Sequence, residues 1–106
     1  MLTYKAAYRE LDEGLHAEVL DFPGVLTCGR GLDEARRLLA GALEDMAETC
    51  WFAGEPLPRP DPCRSDPDAD LEEPIHLLVT ASSQVEVVPA EKRREAGATV
   101  SRGSRA

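Results

Sequence analysis

The fold is decided by residues 21–35, which read DFPGVLTCGRGLDEA. Pro23 and Gly24 suit the second and third positions of a type II turn, because proline presets φ and glycine accepts a positive φ. A short third strand is predicted over 25–28, and the Gly-Arg-Gly sequence that follows predicts a tight corner into a helix. This stretch holds no phosphate-binding loop, so it indicates a structural corner rather than a site.

Two alternating runs precede the corner. Residues 4–11 and 15–20 alternate apolar and polar side chains, and an Asp-Glu-Gly turn at 12–14 separates them. Alternation on both sides of a glycine-containing turn predicts an antiparallel hairpin.

After the corner the hydrophobic period changes from two residues to about 3.6. Apolar side chains recur at positions 32, 35, 39, 42, 43, 46 and 50, which form one stripe of a helix predicted from Leu32 to about Phe52, with Gly54 as its stop. Trp51 and Phe52 are adjacent, and neighbours on a helix point about 100° apart. The alternatives are packing against the core or under the next loop, and for Trp51 an anchor in a protein interface.

Six of the eight prolines fall in residues 53–74, which predict a Pro-rich acidic loop. Residues 75–79 predict a further strand, and residues 85–88 either another strand or a bulged continuation of it. Residues 90–106 have almost no large apolar side chains and predict a disordered basic tail. The predicted domain therefore spans residues 1–89.

These elements predict an α+β domain with a three- to four-stranded antiparallel sheet, in the order β-β-β-α-β, and one long helix packed on one face. One helix cannot cover both faces of such a sheet. We therefore expect a homodimer or a higher homo-oligomer.

Charge and cysteine content narrow the class of protein. The 106 residues have a net charge of −8, but residues 1–89 carry 7 Lys/Arg against 18 Asp/Glu, a net −11, and residues 90–106 carry 5 against 2, a net +3. An acidic body repels nucleic acid and attracts a basic partner. Three cysteines, no signal peptide and no apolar run of membrane-spanning length predict a cytoplasmic protein without a membrane segment.

The spacing of the residues gives little support to a catalytic or metal-binding function. A metal-dependent nuclease needs several carboxylates that converge on two metal ions, and the candidates are Glu10, Asp12, Glu18, Asp21 and Glu48. The cysteines and histidines lack the close spacing of a structural zinc site. The alternating acids of residues 66–70 lack the glycine and glutamate of a calcium loop. We predict no catalytic, cofactor or metal site.

The order of these segments resembles the HicB family, the antitoxins of HicA–HicB toxin–antitoxin pairs. The matching parts are the N-terminal hairpin, Phe22-Pro23-Gly24, Gly29, Leu32-Asp33-Glu34-Ala35, and the GEPLPRP segment at 54–60. The resemblance implies a degraded ribonuclease H-like fold without catalysis. It also implies an antitoxin that dimerises and neutralises a small basic mRNA-cleaving toxin of the HicA type.

The chain departs from the family pattern in two places. Arg30-Gly31 replaces the family's Asp-Thr at the helix start, and many members carry a C-terminal DNA-binding domain for which this chain shows no pattern. We therefore do not expect direct DNA binding, and the alternative function is an orphan dimerisation or binding module with no toxin partner. The predicted partner-binding residues are Glu44, Asp45, Glu48, Trp51, Asp66, Asp68 and Asp70.

Overall fold

The computed structural model describes residues 1–79 and 85–88, which form one helix and five strands. The elements are β1 (Leu2–Leu11), β2 (Gly14–Val19), β3 (Leu26–Gly29), α1 (Leu32–Ala53), β4 (Leu71–Val79) and β5 (Val85–Val88). The strands make one antiparallel sheet in the order β3-β2-β1-β4-β5. The α+β class and the N-terminal hairpin are therefore confirmed.

The turn that begins the deciding stretch has the predicted geometry. Gly24 has φ +89°, and the Val25 N–H donates to the Phe22 carbonyl at 3.1 Å, which closes the four-residue turn. A positive φ at the third position is the signature of a type II turn. β3 then pairs with β2, so the turn sets the third strand in register beside the hairpin.

Helix α1 packs its apolar stripe on one face of the sheet. Its buried side chains recur every four residues, at Ala35, Leu39, Leu43 and Ala47. They meet side chains that alternate along the strands, including Tyr4, Tyr8 and Leu77, in one core. The helix ends at Gly54, which has φ +74° and donates its N–H to the Trp51 carbonyl, as the sequence predicted.

The strand count differs from the prediction of three to four. Residues 85–88 form a separate fifth strand, and β4 begins at Leu71, so the last four residues of the predicted 53–74 loop belong to it. Pro74 is tolerated there because its nitrogen faces away from β1, and β5 pairs only with His76–Val79 and does not reach it.

Residues 54–70, here called the return segment, carry the chain back along the sheet. The helix ends near the start of β1, where the Tyr4 hydroxyl donates to the Pro58 carbonyl at 2.7 Å. The segment then passes Lys5, whose Nζ donates to the Arg64 carbonyl at 2.7 Å, and reaches Glu10, whose N–H donates to Asp70 at 2.7 Å. Because the chain returns to the far end of β1 before β4 begins, β4 runs antiparallel to β1.

The return segment also changes the argument for a dimer. Lys5 and Arg9 alternate onto the sheet face opposite the helix, and both contact the segment. Ala7, between them, is only 2% exposed. The premise of one uncovered sheet face was therefore wrong at the centre of the sheet, where the chain covers itself.

One expectation concerns residues outside the described ranges. The basic tail at 90–106 lies beyond the described residues. No helix within the described part of the chain is long and apolar enough to cross a membrane.

Candidate protein-binding surface

Four exposed side chains on the second half of α1 form what we call the acidic–aromatic face: Asp45, Glu48, Trp51 and Phe52. Positions 45, 48 and 52 are spaced at i, i+3 and i+7, and 48 and 51 at i, i+3, so they share one side of the helix. None of these four residues belongs to the buried stripe of the helix, which consists of Ala35, Leu39, Leu43 and Ala47.

The negative charge of this face lies at the negative end of the helix dipole, which is unfavourable. A helix C-terminus carries partial negative charge and is stabilised by cations. The last turn of α1 contains no basic residue, and no Lys or Arg occurs between Arg37 and Arg59 in the sequence. The dipole and the carboxylates of Asp45 and Glu48 therefore reinforce one another, and a cation on a partner would be attracted to this end.

The aromatic side chains are exposed to an unusual degree for their size. Phe52 is 78% exposed and Trp51 is 39% exposed. Neither belongs to the core, so the alternative of core packing was wrong for both. Leu57 packs against the core where the return segment begins. Exposed aromatics beside charges are typical of the anchors of protein interfaces.

Glu44 lies next to this face but already has a partner within the chain. Its carboxylate accepts the Val87 N–H at 2.8 Å and so joins the helix to β5. Because Glu44 has this structural contact, it is less available to a partner than Asp45 or Glu48.

The structure does not bring Asp66, Asp68 and Asp70 to the acidic–aromatic face. They lie in the return segment, on the side of the sheet opposite the helix. Asp66 accepts the Asp68 N–H at 3.0 Å and lies 3.8 Å from an Arg9 nitrogen, and Asp70 accepts the Glu10 N–H at 2.7 Å. Two of the three carboxylates therefore hold the segment in place, and Asp68 remains exposed.

Sequence reasoning missed the residues that anchor the return segment. Asp21 is only 5% exposed at its side chain, accepts the Asp61 N–H at 2.7 Å and forms an ion pair with Arg64. Glu72 accepts the Asp66 N–H at 2.6 Å. One feature of the sequence could have predicted these anchors. Lys5 and Arg9 alternate onto one face of a strand, and an acid-rich loop follows later in the chain.

Sequence reasoning also missed a half-buried group on the helix side of the sheet. The Glu73 carboxylate accepts two bonds from Arg36, at 2.8 and 2.9 Å, and one from the Tyr8 hydroxyl at 2.9 Å. Burial raises the pKa of Tyr8 well above its ordinary value, and the bond to Glu73 raises it further. The group joins α1, β1 and β4, and its contacts are structural.

Three of the five carboxylates considered for nuclease chemistry lie in separate parts of the fold. Asp21 binds the return segment, Glu18 accepts from His16 at 3.2 Å, and Glu48 lies on the helix. No group of three or more metal-ligating side chains occurs within residues 1–79 and 85–88. A cleft of about 540 Å³ between the hairpin turn and the helix start is lined by Glu10, Asp12, Glu13, Arg30 and Asp70, among others.

No family model and no curated protein matches this chain. The class that fold and surface define is an α+β domain of one helix on an antiparallel sheet, with an acidic and aromatic helix end.

Proposed function

We propose that this protein is a HicB-like antitoxin, a non-catalytic protein that binds and neutralises a small basic mRNA-cleaving toxin of the HicA type. The observation that carries the proposal is the acidic–aromatic face. It combines exposed carboxylates, a helix C-terminus without a basic residue and two exposed aromatic side chains. The order of sequence segments shared with HicB proteins supports the same assignment.

The physical basis of neutralisation is cover by a surface of complementary charge. A toxin that cleaves RNA needs a cationic surface to hold phosphates. Asp45 and Glu48 would attract that surface from a distance and raise the association rate. Trp51 and Phe52 would supply the apolar contact that slows dissociation.

The test is co-expression with a small basic HicA-type protein encoded beside the gene of this chain. We expect co-purification and rescue of growth. The double variant Asp45→Lys/Glu48→Lys should weaken binding by about tenfold or more, mostly through the association rate, and Trp51→Ala should cost about 2 kcal/mol or more of binding free energy.

A matched control is Asp12→Lys/Glu13→Lys, which makes the same double charge change in the exposed hairpin turn. It should leave binding close to that of the unchanged protein. Equal weakening by Asp12→Lys/Glu13→Lys would show that only total charge matters, and absence of co-purification and of rescue would remove the antitoxin proposal.

The second candidate function is an orphan HicB-like dimerisation or binding module without a toxin partner. It is favoured by the internal use of Glu44, Asp66 and Asp70, whose carboxylates bind the chain's own backbone. These contacts reduce the acidity available to a basic partner.

A further inference from the structure

The hydrogen-bond pattern of the sheet shows which main-chain groups of β3 point outward. In an antiparallel sheet, successive residues direct their N–H and C=O groups to opposite sides. The Leu20 N–H donates to Lys5, and the Val19 N–H donates to Val25, each at 3.0 Å. By alternation along the register of β2 and β3, Thr27 faces β2, whereas Leu26 and Cys28 direct their N–H and C=O groups to the free edge.

This free edge is open and uncharged. No hydrogen bond among the described residues reaches the main-chain groups of Leu26 or Cys28. The Leu26 side chain is 54% exposed, and Cys28 is exposed. The strand reads Leu-Thr-Cys-Gly, so it carries none of the charges or prolines with which edge strands avoid pairing.

The opposite edge of the same sheet is protected. On β5 the outward N–H groups are those of Val85 and Val87, and the Glu44 carboxylate accepts the one of Val87 at 2.8 Å. A strand that approached β5 would have to displace this charged acceptor. The chain therefore protects one edge of its sheet and leaves the other ready to pair.

We propose that two copies of this chain pair through β3 in an antiparallel manner, with the two-fold axis at Thr27. In this register Leu26 of each copy lies opposite Cys28 of the other. Both pairs are of the hydrogen-bonded type, so every outward group of Leu26 and Cys28 finds a partner. The result is one continuous ten-stranded sheet across the dimer.

A second copy fits this edge better than a flexible peptide. A four-residue strand offers few main-chain hydrogen bonds, and a flexible peptide must lose its conformational freedom to make them. A second β3 is already extended within a folded domain, and its twist matches because the strand is the same. The uncharged edge also keeps carboxylates out of the contact between two acidic molecules.

The register is tested by a single cysteine on the two-fold axis. Thr27 would oppose its own copy as a non-hydrogen-bonded pair, with Cα atoms about 4.5 Å apart, which is within the range of a disulfide. In a background with Cys28→Ser and Cys63→Ser, Thr27→Cys should form a covalent dimer on mild oxidation. The same background without Thr27→Cys should remain uncrosslinked.

The interface is tested on the protein alone by light scattering after gel filtration. The unchanged chain should have twice its mass of 11.5 kDa. Leu26→Lys should return it to the monomer, whereas Leu11→Lys, the same change at a 43% exposed position on the hairpin, should leave the dimer intact. Circular dichroism checks that both variants fold.

Three outcomes would overturn the proposal: a monomer at every attainable concentration, a dimer that survives Leu26→Lys, or a Thr27→Cys chain that does not crosslink. Each is independent of any toxin, so it leaves the antitoxin proposal to its own experiment.

Discussion

Single residues at the corner between β3 and α1 decide whether the helix can reach the sheet. A Cβ on Gly29 would lie 2.8 Å from the Ala35 nitrogen and 3.0 Å from its Cα, so glycine is required for close packing. The helix start lacks a side-chain cap, because Gly31 occupies the N-cap position. Glu34 compensates in part: its carboxylate accepts the Arg30 N–H at 2.7 Å, and this bond lowers the pKa of Glu34.

Two glycine substitutions should therefore have opposite effects. Gly29→Ala should lower the free energy of unfolding by about 1–3 kcal/mol, because the new methyl group meets helix backbone that cannot move alone. Gly41→Ala should raise it by about 0.5–1 kcal/mol, because Gly41 lies within the helix and a Cβ there meets nothing within 4 Å. Urea unfolding measures both, and equal effects would contradict the assignment of Gly29 to a tight contact.

Among the elements, the return segment was the least predictable from the pattern of residues. Its prolines excluded a helix and a central strand, and residues 54–70 contain neither. The pattern did not indicate that the segment is held by polar contacts, or that it runs along β1 on the second face of the sheet. Those contacts join residues such as Asp21 and Asp61, which are 40 positions apart, and no local period records a pairing of that kind.

Asp21→Ala should release the middle of the return segment. The loss of a nearly buried carboxylate with a main-chain hydrogen bond and an ion pair should cost about 1.5–3 kcal/mol. The locally open population would then rise by about tenfold or more. The rate of tryptic cleavage after Arg64 measures this opening.

The control is Asp68→Ala, because Asp68 is exposed and its carboxylate forms no hydrogen bond or ion pair with another of the described residues. It should change stability by less than about 0.5 kcal/mol. Similar cleavage of both variants would show that Asp21 is not the anchor.

In the molecule as a whole, the two tyrosines connect β1 with the return segment, with β4 and with the helix. Both lie in the core on the helix side of β1 and are 2% exposed. Tyr4 reaches the return segment through Pro58, and Tyr8 reaches the Arg36–Glu73 pair. Burial, with a smaller effect of Asp21, raises the pKa of Tyr4 from 10.0 to about 12.

The free energy of unfolding should therefore fall as the pH rises above about 10. The unfolded chain releases the phenolic protons at their ordinary pKa of 10.0, whereas the folded chain retains them. The unfolded state then binds fewer protons, and each tyrosine contributes a loss of up to about 1.4 kcal/mol per pH unit. Below pH 10 this contribution is fully present and constant.

Tyrosinate absorbance measures this directly, because the chain contains only two tyrosines. In the folded protein neither should ionise near pH 10, and Tyr4→Phe should remove the step near pH 12. Normal titration of both in the folded protein would contradict their burial.

The linear pattern of residues was enough to predict the hairpin, the Pro-Gly turn, the helix with its glycine stop, and the acidity of the second half of the helix. Each of these depends on neighbours within a few positions, where periodicity and turn chemistry act. The choice between a fifth strand and a bulged continuation at 85–88, the place of β4 beside β1, the cover over the second sheet face and the internal use of Glu44, Asp66 and Asp70 became evident only in three dimensions. They depend on contacts between residues far apart in the chain, which local periodicity and turn chemistry do not record.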